Sequence, residues 1–266
     1  MKQFGALLVA IAFSAGLKAQ SPVPLGTAGN FAALAGSTVT NTGPTVVTGG
    51  DVGVSPGSAV TGFPPGTVTG GVIHAADSVA ATAQSDLTNA YVNAAGRPTA
   101  NTLTGDIGGQ AFLPGVYRAT TTLGITGTVT LNGNGNPNSV FIFQVGSALT
   151  TAAGNSIVLL TNGATASNVF WQVGSSATLG TNTIFAGTIL AQASVTLTTG
   201  AVLNGRALAR TGAVTFDSNA VTNPGPAAVA PPPVPAPSSL ILVMSGMALV
   251  GLYRSRDRLS KAFKRN

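Results

Sequence analysis

Few side chains in this sequence are equipped for acid–base or metal chemistry, and their spacing argues against both. Between Gln20 and Ser239 the acids are Asp51, Asp77, Asp86, Asp106 and Asp217, there is no glutamate, and His74 is the one histidine. Glycoside hydrolysis needs two carboxylates about 5 to 10 Å apart, and five dispersed aspartates offer no evident pair, so a polysaccharide lyase or hydrolase is the weakest reading. A zinc site or a Ser/His/Asp triad would need partners for His74 that the sequence does not supply. Asp51 and Asp106 stand in echoing settings, Thr48-Gly49-Gly50-Asp51-Val52-Gly53 and Thr104-Gly105-Asp106-Ile107-Gly108. Each is either a calcium or catalytic carboxylate, or an acceptor of backbone N–H groups in a Gly turn. No run of carboxylates at calcium-loop spacing accompanies them, which favours the turn. The absence of cysteine removes disulfides and thiolate chemistry. The expectation is a protein with no metal, no cofactor and no enzymatic activity.

A different kind of pattern is written in threonine. Val129-Thr130-Leu131, Ala177-Thr178-Leu179, Val195-Thr196-Leu197 and Val214-Thr215-Phe216 can be laid one on another, the last three at intervals of 18 and 19 residues. A short fixed period of that kind marks coil stacked on coil. On a strand the residues flanking each threonine point inward, and Thr130, Thr178, Thr196 and Thr215 point out. Threonine also suits any exposed strand, so the ladder alone does not decide a function.

Composition narrows the class. Only 7% of residues are charged, 35 are glycine, and 44% are hydrophobic, enough to bury a core. The formal charge of +6 resides at the ends: Lys2 and Lys18 near the start, then Arg254, Arg256, Arg258, Lys261, Lys264 and Arg265 against Asp257 in the tail. The body carries Arg97, Arg118, Arg206 and Arg210 against five aspartates. Four scattered arginines cannot supply the clustered cations that phosphate binding needs, so no nucleic-acid partner is expected.

The ends read as processing segments. Residues 1–19, with Lys2 followed by an apolar run from Phe4 to Leu17, have the form of a secretory signal, which predicts an exported or cell-surface protein. At the other end a Pro/Ala-rich linker (224–239) precedes an apolar stretch from Leu240 to Tyr253 and the basic cluster. Fourteen helical residues reach about 21 Å, short of a bilayer core of about 30 Å. The order of parts resembles the PEP-CTERM sorting signal of Gram-negative bacteria, with Pro235, Ala236 and Pro237 at the Pro-Glu-Pro position and Arg254, Arg256 and Arg258 in the arginine cluster. Ala236 stands where that signal has glutamate. The resemblance implies an exosortase-type processing enzyme, transient membrane contact and an exopolysaccharide matrix as partners; the alternative is a plain C-terminal membrane tail.

The elements that must position the threonines are short strands between Gly and Pro punctuation, from Gly43-Pro44 to Pro64-Pro65-Gly66. Apolar residues at Ile73, Ala76, Val79, Ala80, Ala83, Leu87, Ala90, Tyr91 and Ala94 predict one helix over 72–95, opened by His74 and ended by Gly96 and Pro98. Aligning the coils on threonine also aligns a second strand: 140–145, 169–173, 188–192 and 206–210. Hydrophobic runs in the first two predict cover on both sides, and the helix is the available cover. Trp171 is expected to pack against that helix, and Asn155, Asn204 and Asn219 to serve turns or inward hydrogen bonds.

Several motifs together resemble the microbial ice-binding (antifreeze) family. They are Leu25-Gly26-Thr27-Ala28-Gly29-Asn30-Phe31-Ala32-Ala33-Leu34, Gly49-Gly50-Asp51-Val52-Gly53-Val54-Ser55-Pro56, Gly108-Gly109 through Leu113-Pro114-Gly115-Val116-Tyr117, Asn168-Val169-Phe170-Trp171-Gln172-Val173, Phe185-Ala186-Gly187-Thr188-Ile189-Leu190-Ala191 and Leu203-Asn204-Gly205-Arg206-Ala207-Leu208-Ala209. The resemblance covers 25–223. It implies a mainly β chain: a discontinuous right-handed β-solenoid of triangular cross-section, with one long α-helix packed alongside and a flat face that adsorbs to the ice crystal surface. On such a face strands lie about 4.8 Å apart and outward residues about 6.6 Å apart, close to oxygen spacings in ice. The face drawn from sequence holds Thr128, Thr130, Thr150, Ser176, Thr178, Ser194, Thr196, Thr198 and Thr215, with another face of the triangle left open. A surface adhesin or biofilm-matrix protein using the same solenoid on exopolysaccharide is the alternative.

Overall fold

A run such as Val214-Thr215-Phe216 can bury its first and third residues while the second meets solvent, and each short strand does so: Val214 and Phe216 are fully buried and Thr215 is half-exposed. In a computed structural model, which describes residues 20–99, 101–154 and 156–226, such strands succeed one another three to a coil, all paired in parallel. Thr38–Thr42, Val46–Thr48 and Asp51–Val54 make one coil, and Ala59–Thr61, Thr67–Thr69 and Ile73–Ala75 stack on it. Three faces result, called here the threonine sheet, the third face and the helix-covered face.

The coils do not stack in chain order. Along the threonine sheet the strands run Leu123–Ile125, Leu149–Thr151, Ala177–Leu179, Val195–Leu197, Val214–Asp217, Thr38–Thr42, Ala59–Thr61. The N-terminal coils therefore dock on the last C-terminal coil, Val39 opposite Val214 and Ala33 opposite Ala207. The solenoid is discontinuous in this sense. The helix Ser78–Ala95, about 27 Å long, carries the chain back from the N-terminal coils toward the strand Asn101–Leu103 at the opposite end.

The helix begins six residues later than its apolar spacing suggests. Ile73–Ala75 is instead a strand paired with Asp51–Val54, so His74 lies on an edge strand rather than in the helix. Pairing with the coil below takes the backbone groups that a longer helix would use. Asp77 then sets the start, its Oδ1 accepting the Ala80 N–H at 2.9 Å. At the far end Gln144 Nε2 donates to the carbonyls of Ala94 (2.9 Å) and Arg97 (2.8 Å), which satisfies groups the helix leaves open.

Two cores arise from strands buried on both sides. Ala80, Ala83, Leu87, Ala90 and Ala94 of the helix pack on Leu34, Val116, Ile142, Phe170, Leu190 and Leu208. The neighbouring residues point the other way, into the solenoid, and Trp171 goes with them. Contrary to the sequence expectation it does not meet the helix: it stacks on Phe143 at 4.1 Å, tilts against Phe185 at 5.1 Å and donates its Nε1 to Ala186 O at 3.0 Å. Strand alternation forces the exchange, since Phe170 takes the helix side and its neighbour must face away.

Two long strands, Ile184–Ala191 and Val202–Ala209, turn the corner between the third face and the helix-covered face without a break. Gly187 and Gly205 make the turn. Gly187 has φ +111°, and a Cβ on Gly205 would lie 1.9 Å from Gly187 O.

Candidate functional site

The threonine sheet places one outward residue of each strand in a single row. Register runs Gly124, Thr150, Thr178, Thr196, Thr215, Thr40, Thr61, each opposite the next. Six threonines thus lie side by side at the interstrand spacing of about 4.8 Å. Beside them, two residues earlier on each strand, come Ala148, Ser176, Ser194, Ala213, Thr38 and Ala59. Every side chain of these two rows is small and uncharged; Thr150, Ala59 and Thr61 are exposed and the others half-exposed. β-Branching restricts each threonine to few rotamers, so methyl and hydroxyl positions are fixed by the backbone.

The corner below this sheet is tied by buried polar groups. Thr151 Oγ1 meets Thr183 Oγ1 at 2.6 Å, and Asn219 Nδ2 donates to Thr198 O (2.8 Å) and Ala201 O (3.1 Å) while its N–H reaches Thr45 Oγ1 (3.0 Å). Asn219 therefore serves the corner as expected, whereas Asn204 is exposed on the third face opposite Thr222; Asn155 lies outside the described residues. Thr198 sits at the corner edge, its hydroxyl donated to Leu179 O at 2.8 Å.

Of the residues drawn as a single grid, the structure brings together Thr150, Ser176, Thr178, Ser194, Thr196, Thr198 and Thr215. Thr128 and Thr130 separate from them: their strand Thr128–Asn132 pairs with Ile157–Thr161 and Ala111–Phe112, on the third face. The Val-Thr-Leu triplet there has the right alternation but belongs to the next side of the triangle. Sequence reading missed Thr38, Thr40 and Thr61. Val39-Thr40 and Val60-Thr61, 21 residues apart, carry the same inward–outward pair, but lie far from the coils they continue.

Among the described residues nothing covers the third face either. Its register, Thr128, Ile157, Ile184, Val202, Ala220, Val46, Thr67, leaves Ile184 50% exposed and Val46 44% exposed. Its relief is uneven, with Ala220 and buried Ala186 among Ile184 and the exposed Leu159.

The ionisable groups act in the scaffold. Asp106 accepts Gly108 N–H, Thr126 N–H and the Thr126 hydroxyl; burial raises its carboxyl, but these bonds more than offset that and hold it below the usual range. Asp51 Oδ1 accepts Val72 N–H at 2.8 Å. Asp77 is lowered by the Ala80 N–H and then by His74, whose Nδ1 lies 2.6 Å away. Asp86 is lowered by the Thr27 hydroxyl and then by the Thr27 N–H. Arg206 is fully buried, and burial pulls its guanidinium down to about 10. Among the described residues no cluster of three or more His, Cys, Asp or Glu could hold a metal ion. The leader 1–19 and Pro235, Ala236, Pro237, Arg254, Arg256 and Arg258 lie outside the described residues.

A family model described as ice-binding-like matches residues 33–222. The chain belongs to this ice-binding-like family. Within the family, an ice-binding protein of Nostoc sp. (strain HG1) is 49% identical over 97% of both chains, and one of Flavobacterium frigoris (strain PS1) is 37% identical over 76% of both. A crystal structure of an ice-binding protein from an Antarctic biological consortium is 49% identical with a TM-score of 0.74, covering 77% of this chain and 92% of that one. The ice-binding protein of the Antarctic ascomycete Antarctomyces psychrotrophicus has TM-score 0.73 at 42% identity, covering 76% and 98%. The family fold accounts for the discontinuous coils and the helix.

Proposed function

We propose that this protein adsorbs to ice through the threonine sheet and so inhibits ice growth and recrystallisation. The observation that carries the reading is the in-register row Thr150, Thr178, Thr196, Thr215, Thr40, Thr61, flanked by a second row of small uncharged side chains, with Asp217 at the margin of the sheet opposite Thr42. Each methyl–hydroxyl pair binds ordered water weakly, but many acting from one rigid scaffold make detachment rare. The names of the relatives support ice as the ligand, and the adhesin reading of the same sheet has no counterpart among those four relatives. We further infer export through residues 1–19, sorting of the tail by an exosortase-type enzyme with transient membrane contact, and an extracellular or cell-surface station near exopolysaccharide. The protein does its work without catalysis.

The third face is a second reading, favoured by the exposure of Val46, Leu159, Ile184 and Val202, since uncovered apolar side chains on one plane mark interaction surfaces. The test is thermal hysteresis and recrystallisation inhibition by the protein, by Thr178→Tyr/Thr196→Tyr and by Thr48→Tyr/Thr222→Tyr, each checked for unchanged circular dichroism. Loss in the first pair alone supports the threonine sheet, and loss in the second pair alone moves the site to the third face. A folded parent without effect on ice ends the ice reading.

A further inference from the structure

The solenoid closes differently at its two ends. At one, the turn 104–110 lies across the last coil: Ile107 donates its N–H to Gly124 O at 3.0 Å, and its side chain is fully buried in the solenoid core. At the other, the strands Ala59–Thr61, Thr67–Thr69 and Ile73–Ala75 each pair on one side only. Their inward side chains form an open end of the core. Val39, Val47 and Val52 of the coil beneath are fully buried, whereas Val60 and Val68, stacked on the first two, are half-exposed, and Ile73, stacked on the third, is 41% exposed. Phe63 turns into the corner instead, its ring edge-on to Phe216 at 6.5 Å. Among the described residues nothing covers this end. A stack of coils ordinarily finishes in a repeat with a polar outer side, and edge strands are ordinarily blunted by charge or proline. Residues 57–73 hold no charged side chain, and the three strands hold no proline.

We propose that this end is an interface between two copies of the chain, related by a two-fold axis at the free edge of the threonine sheet. An axis normal to the sheet sets Ala59–Thr61 antiparallel to its counterpart, with Val60 beside the partner's Val60 and Ala59 beside the partner's Thr61. The same rotation exchanges the other two sides of the triangle, so the Thr67–Thr69 edge meets the one formed by 73–75 in the partner. A second copy fits because the surface is its own complement. Free N–H and C=O groups meet their like on an antiparallel edge, the two open core ends close on each other, and no like charges are brought together. The helix Ser78–Ala95 starts beside this end and runs away from it, so it leaves the contact clear. Three strands of about 10 Å each make a contact smaller than the roughly 800 Å² per partner of a standard interface, so the dimer is expected to dissociate on dilution. Its two threonine sheets lie in one plane, facing the same way, as a single longer surface. The dimer itself does not depend on the ice reading.

The experiment is sedimentation equilibrium of the full chain from the micromolar to the millimolar range, beside Val60→Lys, Val60→Glu and an equimolar mixture of the two variants. Val60 borders solvent in the single copy, so both variants are expected to fold, which circular dichroism checks. The parent is expected to show a reversible monomer–dimer equilibrium. Each variant alone should dimerise about tenfold more weakly, because like charges then stand face to face, and the mixture should recover the parent's affinity. A parent that stays monomeric throughout overturns the proposal. Self-association equal in all four samples uses another surface and overturns it as well, and a dimer lost in both variants but not restored by mixing overturns the two-fold arrangement. If a charge at Val60 unfolds the chain, Val60→Cys replaces it, since the parent holds no cysteine and cysteines directly opposite on antiparallel strands lie within disulfide reach. Oxidation to a linked dimer by Val60→Cys but not by Thr150→Cys, toward the far end of the same sheet, supports the arrangement; no linkage at Val60→Cys overturns it.

Discussion

Thr40 donates its hydroxyl to Thr215 Oγ1 across 3.3 Å, joining strands 175 residues apart in the chain. This bond crosses the seam where N-terminal coils sit on C-terminal ones, in the middle of the threonine row. It makes Thr40 as much a member of the row as Thr196, although the two belong to opposite ends of the body.

Thr40→Tyr is accordingly expected to lower recrystallisation inhibition several-fold, about as far as Thr196→Tyr does, with the folded state intact because tyrosine is tolerated on exposed strands. Dilution series of both variants in a splat assay check this. Full activity in Thr40→Tyr with loss in Thr196→Tyr would confine the site to the C-terminal coils.

Leu87 is the largest fully buried side chain of the helix, in the core between helix and sheet. Leu87→Ala is expected to cost about 2–5 kcal/mol, read by chemical denaturation. A cost under about 1 kcal/mol would mean that the helix contributes little to holding the solenoid.

Gly205→Ala would set a methyl 1.9 Å from Gly187 O at the corner shared by the two long strands. Neither backbone can retreat without breaking their pairing, so we expect destabilisation of about 3 kcal/mol, the upper end of ordinary substitutions. Gly109→Ala has open space around its Cβ but a φ of +77°. It should lose about 1 kcal/mol, the ordinary conformational cost alone. Comparing the two melting curves separates steric collision from backbone strain.

Acid should unfold the protein through its capping carboxylates. Asp77, Asp86 and Asp106 are all lowered in the folded state by the hydrogen bonds they accept. A depressed carboxylate contributes stability that is present above its unfolded value of about 3.9 and is lost as pH falls through the folded one. Stability should therefore stay level from neutral pH to about 5 and decline below about 4. Asp106→Asn should flatten part of that decline in a pH series of melting temperatures.

Much of this architecture could be read from residue order. The 18- and 19-residue threonine period, the hydrophobic runs at 141–145 and 169–173 and the apolar spacing of the helix each record a local constraint, and each has its counterpart in the fold. The parts that could not be read depended on contacts between distant segments. Thr130 fits the ladder by alternation yet belongs to another side of the triangle, because the turn residues between faces, not the triplet, decide which side a strand joins. Trp171 and Phe170 are equally apolar, and only the phase of the strand decides which of them meets the helix. His74 has helical spacing with its neighbours, but pairing with the coil of Asp51–Val54 claims it for a strand. Thr40 and Thr61 were hidden because the row they complete crosses the seam.

That seam also governs the order in which the protein can be assembled. Among the described coils, residues 31–75 leave the ribosome first, yet one flank of each of their sheets is completed by 202–222, the last of the described strands to be made. Until those emerge, the early coils present a bare pairing edge with no rightful partner. Folding from the N-terminus onward therefore cannot finish the job piece by piece. The body closes when its final strand arrives, a topology dominated by distant pairings and slow for that reason.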